Sequence, residues 1–290
     1  MQKKEHLKIW QQAFKNTITL NTMLSAAGTA YFALISIFPL ILLFVAIASR
    51  WFDPMWAESE IITQAEFVIP GITNLLGANL EKIIEKRGAV TTSALLILSW
   101  SGSTLFSIVA RVMDTIWAGR DTRSTLRYRG IALLFVIGLS LIVMPLLLIG
   151  TWITPLTKGL LPNIPHLLIP VFGFAISALG NILLFGLLYR FLPHGSPAWR
   201  DVWIAALASG ILWEAAKRLF LGYTATFLTR SNLIYGSVST IIAFLIWVHI
   251  SGLIFFFGAY LGVGYSRHDK EEREDNVLCA NPRDPKDPAS

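Results

Sequence analysis

Glu214, Lys217 and Arg218 are the residues in this chain whose types and spacing can do chemistry. They sit in Trp213-Glu214-Ala215-Ala216-Lys217-Arg218, inside a run that is otherwise uncharged from Val202 to Leu228. On a helix, Glu214 meets Lys217 at i,i+3 and Arg218 at i,i+4, so all three project from one face and partly neutralise one another. A helix entering a bilayer at Asp201 brings Glu214 about 20 Å along its axis, near the middle of a roughly 30 Å hydrocarbon core. A single charge at that depth costs about 2.5 to 3.5 kcal/mol, so such side chains face a protein interior or a wet cavity. Two readings follow. In the first, the face lines a polar cavity, and Lys217 and Arg218 contact an anionic substrate or headgroup. In the second, the cluster is a buried ion pair that fixes helix packing.

Arg111 and Asp114 form a second i,i+3 pair, followed by Trp117 at the depth where interfacial aromatics collect. They are candidates for the cytoplasmic mouth of the cavity, or for a plain surface pair. Asn181 and His249 are isolated polar residues in apolar runs, where interhelical hydrogen bonding is the ordinary role. Enzyme signatures are missing: there is no Walker-A sequence, no HExxH and no GxSxG. A nuclease would have to assemble its acids and bases from Asp114, Asp121, Asp201 and His194, and the reading is therefore non-enzymatic, with no catalytic residue, no cofactor and no metal. Cys279 is the one cysteine, which rules out an internal disulfide and a Cys-based zinc site.

The elements that would position these residues are membrane-spanning. Charged residues make up 14% of the 290, hydrophobic ones 54%, and the mean hydropathy is +0.59, whereas soluble domains carry roughly 25% charged residues. Six long uncharged or nearly uncharged runs are predicted to span: Ala26 to Ser49, Gly88 to Ala110, Gly130 to Thr157, Gly159 to Tyr189, Val202 to Leu228 and Ser231 to Ser266. The expected fold is all-α, a polytopic membrane protein with six transmembrane helices and interfacial amphipathic helices, forming one domain over 1–266. The first span begins some 25 residues in and is too long for a signal-peptide core, so no cleaved leader is expected.

With the N-terminus inside, fourteen Lys and Arg near the span ends fall on the inner side and six on the outer one, so both termini are expected in the cytoplasm. The net charge of +6 is then a topology signal, and no nucleic acid partner is expected. Residues 1–24 read as an interfacial elbow, with Leu7, Trp10, Phe14 and Ile18 at helical spacing and lysines between them. The outer loop, 50–89, carries Ile72, Leu76, Leu80 and Ile83 on one face of a second amphipathic helix. The tail, 267–290, is dense in charge, contains three prolines and is expected to be disordered. Small residues mark close helix contacts: Gly28 in the first span, Gly102 in the second, Gly236 near the start of the sixth, and Gly258 with Gly262 as a GxxxG within it.

Several of these stretches together carry a family resemblance. They are Ala26-Ala27-Gly28-Thr29-Ala30-Tyr31-Phe32-Ala33-Leu34-Ile35-Ser36-Ile37-Phe38-Pro39, Trp100-Ser101-Gly102-Ser103 with Asp114-Thr115-Ile116-Trp117, and Leu192-Pro193 with Trp199-Arg200-Asp201. The series continues through Trp213 to Arg218, Ile234-Tyr235-Gly236-Ser237 and Gly258-Ala259-Tyr260-Leu261. Over about residues 20 to 265 the chain resembles the YihY/BrkB family of bacterial inner-membrane proteins. The resemblance implies six helices, cytoplasmic termini and a multi-pass protein of the bacterial plasma membrane. Family members have been labelled a tRNA-processing ribonuclease, a virulence or serum-resistance factor, and carriers of lipids or other solutes. In the last motif Tyr260 stands where the family usually has a glutamate, so no role of that acid carries over.

The functional expectation is a transporter-like or flippase-like protein for a lipid or anionic solute, with membrane lipids as its partners and homo-oligomerisation left open. A non-catalytic membrane scaffold is the alternative, and a membrane-bound ribonuclease the third reading.

Overall fold

The computed structural model describes residues 2–48, 87–119, 130, 169–193, 197, 199–235 and 237–280. Among the described residues there are six helices and no strand: α1 Gln2–Thr17, α2 Leu20–Ala48, α3 Arg87–Ala118, α4 Ile169–Phe191, α5 Trp199–Tyr235 and α6 Ser237–Ala280. Helices α2 and α6 contain segments long and apolar enough to cross a membrane, Leu20–Ile37 and Val238–Asp269, and α4 holds a shorter apolar stretch, Ala178–Phe191. The expected third span, the amphipathic helix of the outer loop and Gly236 lie outside the described residues, Gly130 apart.

Helix α1 turns into α2 over Ile18 and Thr19. Thr19 occupies the N-cap position of α2: its carbonyl accepts the first helical bond from Met23 N–H at 3.0 Å, and its hydroxyl meets that of Thr22 at 3.0 Å. The chain can therefore bend sharply without leaving helix-end groups unsatisfied. Leu7 and Phe14 of α1 and Ile18 just after it are exposed, whereas Ala13 and Thr17 are buried, which gives α1 one protein-facing and one outward apolar side.

Helix α6 is the hub, packing against α5, α2, α1 and α3, while α2 also pairs with α3 and α4 with α5. Its glycines make the approach possible. A Cβ at Gly258 would collide with Ser209 Oγ and Tyr189 OH, and one at Gly262 would stand 3.1 Å from Ala205 Cβ and 3.3 Å from the Asp201 carbonyl, all but Tyr189 on α5. A Cβ at Gly252 would stand 3.4 Å from Ala26 of α2, and one at Gly264 would lie 2.6 Å from Ile9 of α1. Small residues at a helix contact let backbones close in, which lipid-solvated helices need because burial from water does not drive their association. A Cβ at Gly28 would make only ordinary contact with Ile108 of α3, at 3.6 Å, and Gly102 is buried.

Residues 267–280, expected as part of a disordered tail, continue α6 as helix to Ala280, and 281–290 lie outside the described residues. The reason is local. No Gly or Pro occurs between Tyr265 and Asn281, and Asp269 and Arg273 stand at the favourable i,i+4 spacing. The three prolines, Pro282, Pro285 and Pro288, all follow the helix end.

Candidate functional site

The charged cluster on α5 forms as its spacing dictates. Lys217 Nζ lies 2.8 Å from Glu214 Oε2, and Arg218 Nε lies 3.5 Å from Glu214 Oε1. Asn181 of α4 donates from Nδ2 to the same Oε2 at 3.0 Å, the interhelical bond expected of an isolated amide. Lys217 Nζ also stands 5.3 Å from the centre of the Trp213 ring, within cation–π range. The three ionic side chains are not equally placed: those of Glu214 and Lys217 are 2% and 3% exposed, that of Arg218 is 56% exposed. The cluster is thus a sealed, neutral pair with a third, positive side chain turned outward.

Toward the other end of α5 comes a layer without charge. Tyr189 of α4 is fully buried; its hydroxyl donates to the Phe255 carbonyl at 2.7 Å and meets Ser209 Oγ at 2.8 Å. Its ring stacks on Phe255 at 5.0 Å, and Phe185 stacks on both. Trp213 Nε1 donates to Ser251 Oγ at 3.0 Å, so α5 and α6 run antiparallel with this aromatic layer between the charged cluster and Gly258.

Beyond the aromatic layer, an open cavity of about 910 Å³ lies between α1, the end of α3 and α6. Glu5, Lys8, Gln12, Lys15 and Asn16 line it from α1, Thr115 and Ile116 from α3, and Tyr260, Val263, Arg267 and His268 from α6. Its frame is cross-linked: Tyr260 OH meets Thr22 Oγ1 at 3.1 Å, Trp10 Nε1 donates to Tyr265 OH at 3.2 Å, and His268 Nε2 is 3.8 Å from Glu5 Oε2. Glu214, Lys217 and Arg218 are not on its wall. From Ser251, level with Trp213, to Tyr260 is nine helical steps, roughly 14 Å at 1.5 Å each. The α5 cluster and this cavity are therefore separate layers, parted by the aromatic stack.

Arg111 and Asp114 are in the last turns of α3. Asp114 is fully buried and Arg111 half-buried, while Thr115 and Ile116 just beyond them reach the cavity. Asp121 and His194, two of the four residues a nuclease would need, lie outside the described residues. Among the described residues no three His, Cys, Asp or Glu side chains gather as metal ligands would. Sequence reasoning missed Tyr189 and the α1–α6 cavity. The available signals were a tyrosine amid apolar residues, and Lys8 and Lys15 two turns apart on one stripe of α1.

The described residues are helical, with two helices that hold segments long and apolar enough to cross a membrane, glycine-mediated helix contacts and a sealed ion pair, and the relatives that the chain matches are membrane proteins. The chain belongs to the BrkB family: the family model described as virulence factor BrkB matches residues 13–278. The chain is similar to a UPF0761 membrane protein of Ralstonia nicotianae, 27% identical over 246 residues that cover 84% of this chain and 53% of that protein. A UPF0761 membrane protein of Azotobacter vinelandii is 27% identical over 267 residues, covering 89% and 63%, and one of Chlorobium chlorochromatii is 26% identical, covering 81% and 54%. The chain spans about half the length of the curated relatives it matches. No solved structure matches it.

Proposed function

We propose that this protein is a transporter-like or flippase-like carrier of an anionic lipid or solute, spanning the bacterial plasma membrane six times with both termini in the cytoplasm. The observation that carries the reading is the unequal burial of the α5 cluster. Glu214 and Lys217 neutralise each other in a sealed contact, so helix packing accounts for both of them. Arg218 adds a net positive charge to the same face with its side chain 56% exposed. A cation kept on an exposed face near mid-span is costly unless an anion or water meets it there, and a passing anionic group is what such a position serves. The cavity beside α1 supplies a mouth with more positive than negative side chains, and the Tyr189 layer a barrier between mouth and cluster. No ATPase motif is present in the chain, so active movement would draw on an ion gradient or a partner. The protein is read as non-enzymatic.

The near-complete burial of Glu214 and Lys217 favours a second reading, a membrane scaffold in which the pair is purely structural. Reconstitution into liposomes separates the two. Headgroup-dependent lipid scrambling or anion flux that falls in Arg218→Gln, at unchanged protein yield, supports the carrier. Inert vesicles holding folded protein overturn it in favour of the scaffold. RNA cleavage abolished by changing Asp201 or His194 would overturn both.

A further inference from the structure

We propose that the cavity between α1 and α6 is a binding site for the phosphate-bearing headgroup of a membrane lipid. This deepens the carrier reading by naming a ligand class and a first site, and it rests on different residues from the α5 cluster.

Helix α1 divides into three sectors. Ile9, Ala13 and Thr17 face the protein; Ala13 is 2% exposed, and Ile9 lies against Gly264 of α6. Leu7, Phe14 and Ile18 form an outward apolar stripe, each more than half exposed. Glu5, Lys8, Gln12 and Lys15 occupy the third sector and line the cavity. At 100° per residue, Lys8 and Lys15 fall on the border of the apolar stripe, so a helix lying in the interface holds them level with lipid phosphates while Leu7, Phe14 and Ile18 reach the acyl chains.

The opposite wall completes the site. Arg267 and His268 line it from α6, as does Tyr260, whose hydroxyl meets Thr22 of α2. Lys8, Lys15 and Arg267 contribute three positive charges against one negative from Glu5, and His268 stands on that acid at 3.8 Å. Gln12 and Asn16 add amide N–H donors suited to phosphate oxygens. The helices that form the cavity are tied together by Trp10 to Tyr265 and Tyr260 to Thr22, so it is a feature of the packed helices. A cationic cleft that opens beside an apolar stripe fits an amphiphile whose phosphate enters and whose chains stay in the bilayer. A soluble phosphate would use the cleft and leave the stripe idle.

The test is native mass spectrometry of the full chain in a neutral detergent, titrated with phosphatidic acid, phosphatidylglycerol, phosphate-free diacylglycerol or inorganic phosphate. The expected result is a one-lipid adduct with the two phospholipids and none with diacylglycerol. Lys8→Gln with Lys15→Gln should weaken it about twenty-five-fold, from two cationic contacts each worth close to a factor of five. Lys8→Arg with Lys15→Arg should retain binding. Arg190→Gln with Arg200→Gln removes as much charge at positions that contact Pro197 and Asp269 and do not line the cleft, and should also retain it. Equal binding of diacylglycerol, equal loss in both glutamine doubles, or capture of inorganic phosphate without lipid would overturn the proposal. Lipid binding that survives in a protein inert in flux assays sinks the carrier reading alone; flux without this binding sinks the present inference alone.

Discussion

Replacing Glu214 by glutamine tests whether the α5 cluster is held as the distances imply. Glutamine keeps the shape and one acceptor oxygen, so the hydrogen bond from Asn181, now 3.0 Å, can persist. The charge is lost, and Lys217 is left as a cation with a side chain only 3% exposed. Removing one partner of a buried pair costs about 3 to 5 kcal/mol, and the Trp213 face, which stays 5.3 Å from the ammonium, should hold the loss to about 3 kcal/mol. Adding Lys217→Met removes the stranded cation in turn. The double variant should then lie within about 1 kcal/mol of the parent, because a buried pair and an apolar replacement of similar volume are often close in stability. The assay is reversible unfolding in mixed micelles, followed by tryptophan fluorescence, for both singles and the double. The reasoning fails if Glu214→Gln changes stability by less than about 0.5 kcal/mol, or if the single effects simply add within that margin.

Three further outcomes are expected. Gly258→Ala should destabilise the protein by about 1 to 3 kcal/mol, since its Cβ meets Ser209 Oγ and Tyr189 OH with the Ala205 carbonyl 3.1 Å away, and a thermal melt in detergent would register the drop. Tyr189→Phe keeps the ring stack on Phe255 but removes the hydroxyl that serves both Ser209 and the Phe255 carbonyl; a loss of about 0.6 to 1.7 kcal/mol should appear in the same micelle titration. Arg218→Gln, at an exposed position, should leave the melting temperature unchanged while slowing lipid or anion movement in liposomes, and a fall in melting temperature with unaltered flux would count against a carrier role.

The residues of the α5 cluster illustrate what local sequence can determine. Offsets of three and four on a helix bring side chains together whatever the rest of the chain does, so the Glu214 contacts with Lys217 and Arg218 follow from spacing alone. The helices around them were legible for a similar reason, since long apolar runs in lipid must satisfy their backbone groups internally. The helical course of 267–280 was not legible because the charges and prolines of the tail were weighed together, although the prolines begin only after Ala280.

Composition, helical periodicity and the intrahelical ion pair were thus settled by the amino-acid order, being set by neighbours within a turn or two. Which of the three charges would be sealed and which left outward was decided by α4 and α6. The Tyr189 hydroxyl found Ser209 and Phe255 through the crossing of three helices, 20 and 66 residues apart in the chain. The basic cavity required α1 to fold back onto the end of α6, where Trp10 meets a tyrosine 255 residues away. Contacts at that separation depend on how ridges, glycines and bends fit in three dimensions, a property of the packed bundle that no single segment encodes.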